Sequence, residues 1–409
     1  MTFQEYTRST HNFEECMKCT VCTAYCPVVP VNPEYPGPKQ AGPDGERLRL
    51  SDPLFFNRAL KYCLNCKRCE VVCPSGVKVG DIILEARLKF DTSKPKLRDR
   101  LLASTDFVGS MARPFAPIVN MVTGMGITKT VMDGVLAIDR HRTFPSYSSS
   151  SFEKWLRKQE SVQGSFPRQV AYYHGCYVNY NNPQQGKDLV KVMNALGVGV
   201  QLLEGEKCCG VAAISNRLEK QAAGNARKNL EAIGKAVAQG LTVVTTSSTC
   251  TFTLRDEYPS ILKLDNSAVK DSIVLATRYI YQLLESGAVA LRFKQGQKPL
   301  RIAYHTPCHL QKLGWSVFSK ELLRLIPGVE LIPLEQNCCG IAGTYGFKKE
   351  NYQASMAIGE KLFQSIREAN PDFVATDCET CRWQIEMGTG YPVRHPVSLL
   401  AAAIEDPLP

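Results

Sequence analysis

Two cysteine runs constrain this chain more than anything else in it. Residues 16–26 read CMKCTVCTAYC and residues 63–73 read CLNCKRCEVVC, and a proline, Pro27 or Pro74, follows each at once. Within each run the four cysteines fall at intervals of three, three and four. That spacing suits a [4Fe–4S] site in which three thiolates of one run take three irons and the fourth crosses to the other cube. Cys16, Cys19 and Cys22 are therefore expected to share a cluster with Cys73, and Cys63, Cys66 and Cys69 with Cys26. The prolines turn the chain away where it leaves the cluster. A four-cysteine zinc site instead uses two Cys-x-x-Cys pairs set apart. Disulfides need oxidising surroundings, and cysteines three apart are awkward bridge partners.

The runs have the form by which a bacterial-type ferredoxin binds two clusters, so an N-terminal ferredoxin-like unit is expected over residues 1–95. Apolar residues make up 44 % of the 409 and charged residues 22 %, a globular balance with room for several cores. The start, MTFQEYTRST, shows no basic-then-apolar signal pattern, and no uncharged apolar run approaches the ~18 residues of a bilayer span. So many thiolate ligands point to a reducing compartment. The formal charge is +10 with thiols counted neutral. Two cubanes, each −2 with its thiolates, bring this to about +6. Lys18, Lys67 and Arg68 inside the runs then read as internal compensation. No nucleic-acid partner is implied, while a membrane surface or an acidic partner stays open.

Between the runs, NPEYPGPKQAGPDGERLRL (32–50) is too rich in proline and glycine for a regular helix and reads as an ordered loop leading into a short helix at 46–50. Residues 54–62 and 78–90 read as helices. Residues 96–168 form a helical connector without cysteine. Ile118, Val119, Met121, Val122 and Met125, then Ile127, Val131, Val135 and Ile138, recur at helical spacing, with Arg140, His141 and Arg142 close by. Such a stripe over 111–138 can lie in a membrane interface or pack on its own domain. The serine tract 146–151 reads as a flexible link.

From residue 169 the chain repeats itself. The first copy (169–295) carries Cys176, Cys208, Cys209 and Cys250; the second (296–409) carries Cys308, Cys338, Cys339, Cys378 and Cys381. Strands are expected at 170–173, 199–203 and 241–245, then at 301–304, 329–333 and 373–376, with helices at 186–196, 217–239, 316–325 and 352–369. The cysteines fall at the carboxyl ends of these strands, where open α/β sheets place ligands. The fold class is thus α+β then α/β: ferredoxin-like domain, helical connector, duplicated α/β Cys-Cys-Gly domain. Ser247 stands in the first copy where Cys378 stands in the second, so that site is one thiol short. Iron–sulfur binding, structural zinc and redox thiols all remain open for the paired cysteines. His174, His305 and His309 beside them either carry protons or hydrogen-bond sulfur and backbone.

A double ferredoxin run followed by two Cys-Cys-Gly repeats resembles the iron–sulfur subunits of heterodisulfide reductases, glycolate oxidases and lactate-utilisation complexes. Longer blocks, HGCYVNYNNPQQGKDLVKVMNALG (174–197), TSSTCTFTLRDEYP (246–259), CCGIAGTYGFKKENY (338–352) and TDCETCRWQIEMG (376–388), are similar to C subunits of anaerobic glycerol-3-phosphate dehydrogenases. The resemblance implies flavoprotein partner subunits, A and B, that oxidise sn-glycerol 3-phosphate. It implies electron delivery to menaquinone and a peripheral place on the cytoplasmic side of a bacterial inner membrane. It also implies a third cluster, non-cubane in related heterodisulfide reductases, in the second repeat, and leaves a fourth open in the first.

A reduced flavin yields two electrons and a [4Fe–4S] centre passes one, so clusters in series would split the pair. No Ser–His–Asp set, phosphate loop or dinucleotide fingerprint stands in the sequence. The rivals to a relay are a heterodisulfide-reductase-like or glycolate- or lactate-oxidising subunit with chemistry at the Cys-Cys-Gly cluster, and a structural anchor. Whether the chain itself reduces quinone or only carries electrons is left open. Anaerobically purified protein is expected to hold at least about eight irons with matching acid-labile sulfide and a broad visible absorption. Zinc without sulfide would remove the cluster reading.

Overall fold

Short helices separated by cysteine loops make up the amino-terminal unit of the computed structural model, which describes residues 12–49, 51, 52, 55, 57–91, 93–296 and 298–405. The opening decapeptide, read above for a signal pattern, lies outside the described residues, as do Leu54 and Phe56 of the 54–62 helix; Asn57–Leu60 is helical. The helix Val79–Phe90 has Asp81 in its first turn and Arg87 and Lys89 in its last, matching its dipole. It buries Ile82, Ile83 and Ala86 in one core with Tyr35, Ala41 and Leu60. The predicted loop before residue 46 is instead partly helical. Gln40–Asp44 forms a wide π turn with Pro43 inside it and runs into the helix Gly45–Arg49. The wider turn moves the proline ring off the carbonyl four residues back, which is what forbids proline in an α-helix.

The duplicated region forms two four-stranded sheets. β1 (Arg168–Tyr173), β2 (Val198–Leu202), β3 (Thr242–Thr245) and β4 (Ile273–Leu275) stand in the order β2-β1-β3-β4. β5 (Leu300–Tyr304), β6 (Val329–Pro333), β7 (Phe373–Ala375) and β8 (Val393–Arg394) repeat that order as β6-β5-β7-β8. Every pairing is parallel, with Val170 opposite Thr242 and Ile302 opposite Phe373. All carboxyl ends of a sheet therefore open on one edge. The predicted strands and helices are present within a residue or two, except that the helix predicted from 186 begins at Pro183. β4 and β8 went unpredicted because strands of three and two residues carry no periodicity.

Side chains alternate across β1: Val170 and Tyr172 enter a central core, Ala171 and Tyr173 an outer one. The central core is common to both sheets, since Val170, Tyr172 and Val244 share it with Ile302, Tyr304 and Ala375. Each repeat closes on the other. The helix Pro183–Ala195 packs on the final helix Pro396–Ala403, and Ala276–Glu285 packs on Ser316–Arg324. Asp377, fully buried at the end of β7, fastens this interface. Its carboxylate accepts from Tyr304 Oη at 2.6 Å and Ser319 Oγ at 2.8 Å, and its carbonyl accepts from the Ser248 amide at 2.9 Å.

The connector comprises the helices Leu97–Ala103, Thr105–Ala112, Ala116–Gly124 and Gly126–Leu136. Its stripe does not pack into a core. Ile118, Met121, Val122, Met125, Ile127, Val131 and Val135 are all exposed, Val135 by 77 %, and Ile138 alone of the predicted set is buried. Among the described residues, no helix is long and apolar enough to cross a membrane. Arg142 is no surface cation: it is 1 % exposed, donates to Ser355 Oγ at 2.8 Å and lies over the Tyr352 ring. The serine tract is tied down as well, since the Ser148 amide donates to Tyr180 O at 2.8 Å and Ser151 Oγ caps the helix Phe152–Arg157.

Replacing Asp377 with Ala leaves the Tyr304 hydroxyl buried without its acceptor and Ser319 with Thr277 Oγ1 in place of the carboxylate. The expected loss is about 3 kcal/mol of unfolding free energy, read by chemical denaturation of the anaerobic protein.

Candidate iron–sulfur centres

All seventeen cysteines are unbridged in this structure. They gather into four groups. Cys16, Cys19, Cys22 and Cys73 line one cavity, and Cys26, Cys63, Cys66 and Cys69 line another, so each run sends its last cysteine across to the other. The two loops are wound alike: Lys18 and Thr20 in the first match Asn65 and Lys67 in the second, and all four have positive φ, between 54° and 64°. Left-handed turns at non-glycine residues cost energy and aim backbone amides inward. One such amide, of Asn65, lies 3.5 Å from Cys63 Sγ. A cubane core with bridging sulfides fits this donor set.

The inner group is dry. Burial pushes the Cys26 thiol up to about 12 and the Cys69 thiol well above its ordinary range. Free thiols here stay protonated, and ligation by a cationic core is what ionises them. Lys67, 1 % exposed, pairs with Asp81 and lies 3.8 Å from Glu70, so it balances carboxylates as well as sulfur. Arg68 stacks over Tyr25 and acts on both Cys66 and Cys308.

In the second repeat Cys308, Cys338, Cys339, Cys378 and Cys381 converge where β5, β6 and β7 end. Cys339 and Cys381 have Sγ atoms 3.3 Å apart. Contact with the Cys338 and Cys381 thiols holds the Cys339 thiol well below its ordinary value while both of those neighbours are pushed up. Contact with Cys381 likewise brings Cys378 down to about 6. A ring nitrogen of His305 and the Sγ atoms of Cys339 and Cys381 all lie within 4.8 Å of one another. His305 is buried and neither ring nitrogen has a hydrogen-bond partner. His309 instead donates from Nε2 to Asn65 O at 3.3 Å, and His174 pairs with Glu206 at 3.0 Å.

In the first repeat Cys176, Cys208, Cys209 and Cys250 meet in the same way, with hydrogen bonds from Cys176 and Cys209 holding Cys208 down. Ser247 and Cys378 are structural equivalents, each the extended residue before a helix at the end of its third strand. The Ser247 hydroxyl accepts from the Cys250 amide at 3.3 Å and donates to Glu379 Oε2 at 2.9 Å. Burial and then the charge of Cys378 push Glu379 up to about 8. Asp106, from the connector, accepts the Cys208 amide at 2.8 Å, and burial lifts its carboxyl to about 6.

The four groups form a sequence in space. Cys338 shares one core with Cys26 and Cys69, against which Cys66 packs, and the helix Cys308–Leu313 packs on the helix Arg68–Val71. The second repeat's group in turn reaches the first through Glu379 and through Thr249 Oγ1, 3.6 Å from Cys378 Sγ.

The 4Fe-4S dicluster domain model matches residues 12–77, and the cysteine-rich CCG domain model matches residues 170–255 and 302–386. The chain is 56 % identical to the C subunit of the Escherichia coli anaerobic glycerol-3-phosphate dehydrogenase over 96 % of this chain and 99 % of that one. It belongs to that family of C subunits. More distant relatives are the glycolate oxidase iron-sulfur subunit of Escherichia coli, 25 % identical over 95 % of this chain and 94 % of that one, and the B subunit of the fumarate reductase (CoM/CoB) of Methanothermobacter marburgensis, 25 % identical over 93 % and 68 %.

As a member of that family the chain is an iron–sulfur protein with a dicluster domain and two Cys-Cys-Gly domains. Glu379 and Asp106 escaped sequence reasoning. The first opens the helix Glu379–Thr389 inside Cys378-x-x-Cys381 with no pattern to mark it, and the second reaches Cys208 across 102 positions of sequence, which leaves no local signal.

The two glycines after the cysteine pairs separate backbone strain from crowding. Gly210 has φ +90° and a Cβ there would meet Ala222 at 3.4 Å; Gly340 has φ +87° and its Cβ would lie 2.0 Å from Ser355 O. Gly210→Ala is expected to cost about 1 kcal/mol of strain and leave the soluble yield of folded protein unchanged. Gly340→Ala should abolish the second repeat's paramagnetic signals while the ferredoxin signals persist, as electron paramagnetic resonance would show.

Proposed function

We propose that this chain is the electron-carrying subunit of an anaerobic glycerol-3-phosphate dehydrogenase. It takes electrons from the flavin of partner subunits A and B and delivers them to menaquinone at a membrane surface. The eight ferredoxin cysteines hold two [4Fe–4S] clusters in the crossed pairing, and the second repeat's five cysteines hold a third centre. The first repeat's four cysteines, with Ser247 held by Glu379, form a fourth site one thiolate short. Boundaries near residues 95, 168 and 295 divide the chain into the four units that carry them.

The single observation behind the relay is the packing of Cys338 and of the helix Cys308–Leu313 against the inner ferredoxin group, which joins the ferredoxin unit to the repeats. Clusters in series then take a flavin's two electrons one at a time. The bare apolar stripe of the connector supports the membrane surface. Phe107, Met111, Phe115 and Ile118 continue it, and apolar patches of this extent mark interaction sites. The stripe is peripheral, lying in the interface rather than through it.

Each apolar side chain inserted among lipid acyl chains contributes on the order of 1 kcal/mol. Replacing Ile127, Val131 and Val135 together with Asp is thus expected to lower binding to anionic vesicles by about a hundredfold. The ferredoxin clusters should keep their spectra; retention on vesicles would sink the membrane assignment. Cys66→Ser should stop quinone reduction by the three-subunit complex while flavin-linked dye reduction continues, whereas a structural anchor would leave both intact.

A further inference from the structure

Among the described histidines, His305 alone has neither ring nitrogen engaged by a nitrogen or an oxygen. The others each have at least one such partner: Asp139 for His141, Gly175 O for His174, Asn65 O for His309 and the Val397 amide for His395. His305 is 2 % exposed and stands directly after β5, where its amide donates to Ala375 O at 2.9 Å. One of its ring nitrogens lies within 4.8 Å of the Sγ atoms of both Cys339 and Cys381. A buried polar ring left without a partner is costly, so its only company, two thiols, has to be what it serves.

The first repeat shows why the ring is free. His174 holds the equivalent place after β1, but Glu206 fixes it. The His174 amide donates to Glu206 Oε2 at 3.2 Å, and Nδ1 lies 3.0 Å from Glu206 Oε1. Glu206 stands two residues before the pair Cys208-Cys209. Two residues before Cys338-Cys339 stands Gln336, whose Oε1 accepts from Gln311 and from Tyr25 Oη at 3.5 Å. Where the first repeat anchors its imidazole with a carboxylate, the second has an amide engaged elsewhere, and the ring is left to the thiols.

Its place there is that of a donor. Five thiols already exceed the four that a four-iron core takes, so no imidazole is needed to complete coordination. A neutral imidazole carries one N–H and one lone pair. Ligated sulfur is anionic and repels the lone pair, so the proton belongs on the nitrogen that faces Cys339 and Cys381. His309 cannot share the task, because its Nε2 is directed at Asn65 O and its ring stacks on Phe252 with centroids 4.8 Å apart.

On the reading of the second repeat as an iron–sulfur site, we propose that His305 is a sixth protein group of that centre, donating a hydrogen bond from its ring to the sulfur of Cys339 or Cys381. A donor to sulfur stabilises the more negative, reduced state. His305 therefore holds that centre's potential up, a role that His174, fixed by Glu206, does not serve in the first repeat.

The test uses the full chain purified without oxygen, its histidines ring-labelled with heavy nitrogen, in pulsed electron paramagnetic resonance. The signal that Gly340→Ala removes identifies the second repeat's centre. That signal is expected to show a weak coupling to labelled nitrogen, lost in His305→Phe and kept in His309→Gln. In redox titration His305→Phe should lower its midpoint by about 59 mV, a tenfold change in the ratio of reduced to oxidised centre, while the ferredoxin midpoints hold. His305→Gln keeps an N–H and should recover part of the shift. Should His305→Phe fail to fold, the labelled parent and His309→Gln decide: coupling in both supports the donor. No coupling in the parent, or its loss with His309, overturns the assignment. So does an unmoved midpoint in His305→Phe, and so does a coupling as strong as an iron-bound imidazole gives. Zinc in the second repeat without any paramagnetic signal would overturn the iron–sulfur reading itself, and the proposal with it.

Discussion

A buried thiol is a poor anion until a metal core ionises it, and this structure buries its thiols in groups. Cys26 and Cys69 are driven above their ordinary range by burial, while neighbouring thiols hold Cys208 down in the first repeat and Cys339 and Cys378 down in the second. Nothing in an apolar core calls for that crowding. The left-handed residues of the ferredoxin loops and the left-handed glycines after each cysteine pair are strained or specialised backbone placed at the same spots. The protein is organised so that sulfur converges, and the helices and sheets are the means of holding it there.

Parallel sheets do this for the second set. Because every strand of a sheet runs the same way, the loops after its first three strands emerge on one edge, and a cysteine from each meets the others there. Duplication sets two such edges side by side, and the shared central core holds them in register. Asp377 is the polar counterpart of that core: one buried residue satisfies hydroxyls from its own repeat and an amide from the other, one position before Cys378. The interface that stabilises the pair is thus continuous with the loops that carry the cysteines. Glu379 extends it, joining the second group's loop to Ser247 of the first.

Ser247 shows how the first site, one thiol short of the second, is kept ordered. Where the second repeat has a thiol, here a hydroxyl accepts from the Cys250 amide and donates to a carboxyl that burial pushes up to about 8. His305 shows the reverse case in the second repeat, a buried ring with both nitrogens unpartnered beside two thiols. The two groups share ancestry and loop geometry and differ in which side chains complete them.

Sequence by itself determined the cysteine groups, the crossed pairing of the two runs, the duplicated α/β pattern and the family. These are local facts: ligand spacing within a loop, hydrophobic period within a strand or helix, and long blocks of shared residues. It misjudged residues 40–44, where a π turn accommodates Pro43, and the serine tract, which contacts made far away hold in place. Tertiary structure alone decided that the connector's stripe lies bare, that the inner ferredoxin group packs on the second repeat and that Asp106 meets Cys208. Each of these depends on which surfaces of separate elements meet. Periodicity marks the apolar face of a helix without saying what, if anything, will cover it.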